Sequence, residues 1–413
     1  MSVLLAGQRV GRVQDRVLLN DERVLDAAVE LIVDSGWGGF HPAGVAAATG
    51  LSKRAVLERA PDRSTLAAAT WSLRAWPALR ESIDAVLDAG GVAPSTVHVA
   101  APGAEASGPA LLEAVQPLLR PSPDLAAATE LLLIAGFQPV LQQAVEETLG
   151  PHASRLLSGN QPGDSGTLMG QRGYLFMLVG GLLMLALRRR EMPVPDLESF
   201  LERVASALRA APAPRSLPVD DAPHMDAAPP IHTGEPALDQ LLQATVTLVG
   251  EHGFDDTTVS MICRSANVTQ GFVFGRYASK LELFLDANRR HQAAGYALNT
   301  DFVNSLAEQH GEGLAEAVVI RELQRPERRL QNTVFLEPIR MSWHQSDLRD
   351  AQEAEVKAAF AHEPKPRTKR ERSEAYARHH IEAAVGIGAS LAPWMYPEAH
   401  LLPYDVVTVP LLG

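Results

Sequence analysis

The chain has 413 residues, 46% of them hydrophobic and 21% charged, with a formal net charge of −12, and its length fits about two to four domains rather than one. A single cysteine, Cys263, excludes a disulfide framework and a cysteine-rich zinc site and suits a cytoplasmic location. The acidic balance excludes a general nucleic-acid coat, but it leaves room for a local basic face that contacts phosphates.

Arg9, Arg12 and Arg16 predict a basic arm ahead of the first helix, suited either to a minor groove or to a mobile tail. The apolar series Val24, Leu25, Ala28, Leu31, Ile32 has the spacing of one buried helical face. Gly36 ends that helix and Trp37 fills the space behind it. A short second helix starts at His41–Pro42 and ends at Gly50, and Ser52 caps a third. Helix, tight turn, helix at this length is a helix-turn-helix. Further helices are predicted over 64–90, 108–119, 124–150, 167–190 and 196–210. The most apolar stretch, Tyr174–Leu187, is shorter than the ~20 residues of a membrane span and is bracketed by Arg172 and Arg188, so it reads as a buried helix, with no membrane partner.

Residues 210–236 hold seven prolines and predict a semi-extended linker. Beyond it Leu238, Leu241, Leu242, Thr245, Leu248 and Val249 predict another helix, ended by Gly253 and backed by Phe254. Thr258 caps the next helix, Asn267 turns the chain, and Thr269 caps the one after. Late helices are expected at 377–394 and from about Tyr404. An offset of 217 residues superimposes 24–52 on 241–269 without a gap, which predicts duplication. Val179-Gly180-Gly181 and Val385-Gly386-Ile387-Gly388 extend it at an offset of 206, with small residues that permit close helix contact.

The run from Asn267 through Thr269, Gln270, Gly271, Phe274, Tyr277, Ser279 and Lys280 to Leu283 resembles the recognition motif of TetR-family regulators. The chain is similar to tandem TetR regulators, a group that includes a repressor of a mammalian-cell-entry lipid-import operon. The resemblance implies an all-α fold of two tandem units, each a three-helix DNA-binding head with a helical ligand-binding and dimerising body. The units would pack as an intramolecular pseudo-dimer, monomeric in solution. Head 1 is expected at 16–66, body 1 at 67–209, the linker at 210–236, head 2 at 237–283 and body 2 at 284–413.

In head 2 the expected DNA contacts are Thr258, Ser260, Thr269, Gln270, Gly271, Phe272, Phe274, Arg276 and Lys280. Gln270 can pair with adenine, Phe272 can meet a thymine methyl, and Gly271 lets the backbone approach. Phe274 stands where the resemblance implies a tyrosine, and Lys280 where it implies a phosphate clamp. Head 1 departs further: Leu57, Ala60 and Glu58 replace motif residues, while Ser52, Lys53, Arg54, Arg59, Arg63 and Arg12 remain as candidates.

No nucleophile elbow, P-loop or dinucleotide fingerprint is present, and no catalytic residue, cofactor or metal is expected. His379, His380 and Glu382 lack a fourth ligand, and 362–374 reads as a basic surface loop. The expectation is a transcriptional repressor that reads an asymmetric double-stranded operator and is released by a small apolar, lipid-like ligand. A pocket is expected near Phe137, Leu141, Phe176 and Met177. The alternative is a ligand-binding or protein-interaction module in which head 1 no longer reads DNA.

Overall fold

The computed structural model describes residues 12–93, 106–159, 165–188, 196–210, 212–215, 225, 230–350, 352 and 368–412. Arg9, just over half of the 210–236 linker and residues 362–367 lie outside the described residues, as do the side chains of Arg12 and Arg16, while 369–374, expected as part of a surface loop, form the start of a helix that Thr368 caps. Every regular element among the described residues is helical. In chain order they are α1 (Arg12–Gly39), α2 (Pro42–Thr49), α3 (Lys53–Leu57), α4 (Arg63–Thr70), α5 (Trp76–Ala89), α6 (Gly108–Leu119), α7 (Pro123–Ala135), α8 (Pro139–Leu157), α9 (Gly166–Arg188) and α10 (Glu198–Ala210). Then follow α11 (Pro236–Asp256), α12 (Val259–Ser265), α13 (Gln270–Phe274), α14 (Lys280–His310), α15 (Glu312–Leu323), α16 (Arg329–Met341), α17 (Lys369–Met395) and α18 (Asp405–Leu412).

α1–α4 and α11–α14 are built by the same local devices. Gly36 (φ 62°) and Gly253 (φ 75°) turn the first helix of each set in a conformation that costs a side-chain residue energy. The turn swings Trp37 and Phe254 inward, where both are buried. Gly50 and Asn267 take left-handed conformations after the second helices. Ser52 and Thr269 then accept the backbone N–H of Ala55 and Phe272, capping the third.

Three expectations change. Arg12 and Arg16 belong to α1 rather than to an arm ahead of it. The run 124–150 is two helices bent by 118° at 136–138, because Pro139 lacks an N–H and disfavours helix at Gln138. α9 starts at Gly166, so it is long and apolar enough to cross a membrane, yet the span is 89% buried within the protein. Arg172 is not a flank but a buried member of α9, donating to the carbonyls of Val92 and Leu156.

α9 lies against α17, and α18 packs between α10 and α15. The α9–α17 crossing is reciprocal: a Cβ on Gly181 would strike the carbonyl of Ala384, and a Cβ on Gly388 would strike that of Met177. Met177 and Ala384, like Gly181 and Gly388, stand 207 residues apart, one more than the offset read from the sequence. Close approach of this kind needs glycine on both helices. Where the 210–236 segment is described it is tied down: Arg215 N–H donates to Asp405, and Met225 N–H to Glu322.

Candidate nucleic-acid interface

Each glycine turn delivers a backbone N–H to a buried glutamate. Trp37 N–H donates to Glu130 on α7 (2.8 Å), and Phe254 N–H donates to Glu337 on α16 (2.6 Å). One arginine, Arg340 on α16, serves both acids, bonding Glu130 at 2.6 Å and Glu337 at 2.5 Å while also reaching Asp255 at 2.8 Å. Burial alone would raise the Glu130 carboxyl, but Arg340, His344 and the Trp37 N–H outweigh it and hold it at about 2. Arg340 is likewise held above its ordinary value: burial opposes the charge, and Glu130, Glu337 and Asp255 overcome it. Gly36 faces His344, and Gly253 faces Phe137, again a reciprocal pair. Thus α1 and α11 rest on one charged cluster.

α13 presents its exposed face as Thr269, Gln270, Gly271 and Phe274, the last 55% exposed. The Oγ atoms of Thr258 and Thr269 accept cap hydrogen bonds, which leaves each hydroxyl proton free to donate outward. A side chain at Gly271 would meet only Thr269 Oγ1, at 3.7 Å, so the fold itself does not require glycine there. Phe272 is half-covered, because the Arg276 guanidinium lies 3.8 Å from its ring centre. Arg276 also pairs with Glu235 at 2.6 Å. Tyr277 is buried as an anchor and donates to Asp286.

Residues 241–287, from within α11 to the start of α14, match the family described as bacterial regulatory proteins, tetR family. That segment is thus similar to the tetR-family regulatory domain. None of the curated proteins compared with it matches the chain.

The tetR-type head differs from its sequence expectation at one residue above all. Lys280 does not project as a clamp: its Nζ donates to the carbonyls of Phe254 (2.7 Å) and Thr257 (2.8 Å) and sits 4.0 Å from the Phe254 ring centre. Burial pushes its ammonium below the usual range against the pull of Asp255, Asp256 and Glu337. Ser260 and Arg264 on α12 are both exposed; Arg264 was not among the expected contacts, and its place in the last turn of α12 is the signal for it. Cys263 is buried, and burial raises its thiol.

α2 and α3 offer less. Ser52, Lys53 and Arg54 are exposed, but Arg54 pairs with Glu58 at 2.9 Å. Arg59 is turned inward onto Asp21 and the Ala55 carbonyl. Arg63 stacks over Trp37, 3.6 Å from the ring centre, the counterpart of Lys280 over Phe254. Arg59 is thus engaged in an inward ion pair and Arg63 lies over a ring, so neither side chain projects as the sequence expectation had it.

Among the described residues the four expected pocket residues are not gathered around the main cavity. Leu141 and Met177 are buried, Phe137 packs under Gly253, and Phe176 lines only a crevice of about 10 Å³. A cavity of about 420 Å³ lies instead between α14, α15, α16 and α17, with Met225 at its edge. Composition pointed to the apolar helices, but those helices fill their own core. Among the described residues no cluster fit to hold a metal occurs, and Glu382 pairs with Arg378.

Proposed function

We propose that the protein is a transcriptional repressor built as two TetR-like units in one chain, packed as an intramolecular pseudo-dimer. The observation that carries this reading is the matched seating of Trp37 on Glu130 and Phe254 on Glu337. It is supported by the paired stacking of Arg63 and Lys280 and by the reciprocal α9–α17 crossing. Such matched contacts are what a two-fold interface produces. α3 and α13 would enter successive major grooves, about 34–36 Å apart, and their unlike residues would favour an asymmetric operator.

Release by a ligand follows from continuity of elements. α14 begins at Lys280 beside α13 and continues as a wall of the 420 Å³ cavity through His291 and Tyr296. α16 carries Asn332 and Phe335 in the cavity wall and Glu337 and Arg340 in the cluster beneath both heads. A ligand that moves α14 or α16 changes the seating of the heads, which is linkage between two sites.

A second reading keeps DNA contact for head 2 and makes head 1 a structural partner. The inward turn of Arg59 and Arg63 favours it. Band-shift titration on the region upstream of the protein's own gene tests the repressor function. Binding of one fragment well above competitor DNA at moderate salt is expected, with affinity falling steeply as salt rises. Binding no better than competitor would refute it.

A further inference from the structure

The cavity between α14, α15, α16 and α17 has features that its own fold does not explain. Gly386 stands in the middle of the 27-residue helix α17, a position where glycine is unfavourable. A Cβ added there would meet nothing within 4 Å, so no packing contact demands the glycine; it keeps cavity space open. His291 on α14 is 5% exposed, and neither of its ring nitrogens has a hydrogen-bond partner. Buried polar groups are normally satisfied, so an orphaned imidazole on a cavity wall indicates a missing partner.

Glu316 on α15 supplies the charge. Its side chain borders the cavity, yet the carboxyl is enclosed by protein on its other sides. Among the described residues no hydrogen bond or ion pair reaches it. Burial and the neighbouring Glu382 on α17 push it up to about 7, the behaviour of a carboxyl without a cation. Tyr174 on α9 is a neutral phenol, because burial, with the charges of Glu316 and Glu382, raises its proton affinity. Burial also lowers His291, keeping that ring neutral. Arg328, the cation at the cavity edge, is tied to the Met225 carbonyl and to Gln331. Tyr296 and Phe335 expose aromatic faces at the mouth, and such faces attract cations.

We propose that this cavity binds a protonated amine carried on an apolar body, with Glu316 as its counter-charge and His291 as its hydrogen-bond acceptor. The volume of about 420 Å³ lies in the range of small-molecule sites. This rests on the ligand-released reading above and specifies its ligand; neutral and anionic amphiphiles become the contrasting cases.

The test is calorimetric titration of the full chain, without DNA, with dodecylamine, dodecanol and dodecanoate below their micelle concentrations. Dodecylamine is expected to bind at one site, at least tenfold more tightly than the other two. Glu316→Gln should abolish that preference while leaving dodecanol binding within about twofold. Gly386→Leu starts from a Cβ position with nothing within 4 Å, places a side chain in the open space and should block all three, with helicity and melting temperature preserved. Equal binding of the three probes, preference for dodecanoate, or an undiminished amine preference in Glu316→Gln would each overturn the proposal. Because no DNA is present, failure here leaves the operator-binding reading standing, and failure of the band shift leaves this result intact.

Discussion

Arg340 is a single side chain asked to neutralise two buried acids, Glu130 and Glu337, that stand at matched positions. The residue at the same offset before it is Leu133, so the arginine occurs once where the acids occur twice. A homodimer would place two arginines or none at such a site; a fused chain can hold one. Removing it leaves two buried carboxylates with backbone N–H partners but without their arginine, and breaking a buried pair in this way costs about 3–5 kcal/mol. Arg340→Leu should therefore lower the urea midpoint strongly, and adding Glu130→Gln and Glu337→Gln should recover part of the loss. A small effect of Arg340→Leu alone would deny the cluster its seating role. Glu130 adds a pH dependence. Its folded value of about 2 lies below the ordinary 4.5, so its stabilising contribution is complete above about pH 4.5 and is lost as the pH falls toward 2. Melting temperature against pH should fall across that window, and Glu130→Gln should flatten the fall.

At the scale of the element, α13 separates folding from recognition. Gly271 has room for a methyl group, and alanine favours helix over glycine by up to about 1 kcal/mol. Gly271→Ala should melt at or above the parent temperature yet bind operator DNA at least tenfold more weakly. Unchanged DNA affinity would remove Gly271 from the interface. The caps and turns of this head were legible in the sequence, because Thr258, Thr269 and Asn267 act on neighbours within four residues. The seating of the heads was not. Glu130 lies 210 residues from Arg340, and an acid inside an apolar run gives no sign of its partner. The inward placement of Lys280, Arg59 and Arg63 is hidden from the sequence for the same reason. A cation beside a recognition helix looks alike in sequence whether it faces phosphate or a carbonyl. The cavity escaped notice because its marks, Gly386 and His291, are defined by what is missing around them.

For the whole molecule, the net charge is −12, and the proposed DNA binding would rest on a small exposed set of cations such as Lys53 and Arg264. α1 and α11 meet on one charged cluster, and α9 crosses α17; in the proposed two-unit reading these contacts would hold two heads at a fixed separation. In the proposed function one chain presents two unlike heads to one operator. Hydroxyl-radical footprinting on the fragment that the chain binds tests it most directly. Two protected patches are expected on one face of the duplex, about one helical turn apart and unlike in sequence. A single patch, or two identical patches arranged as a palindrome, would contradict it.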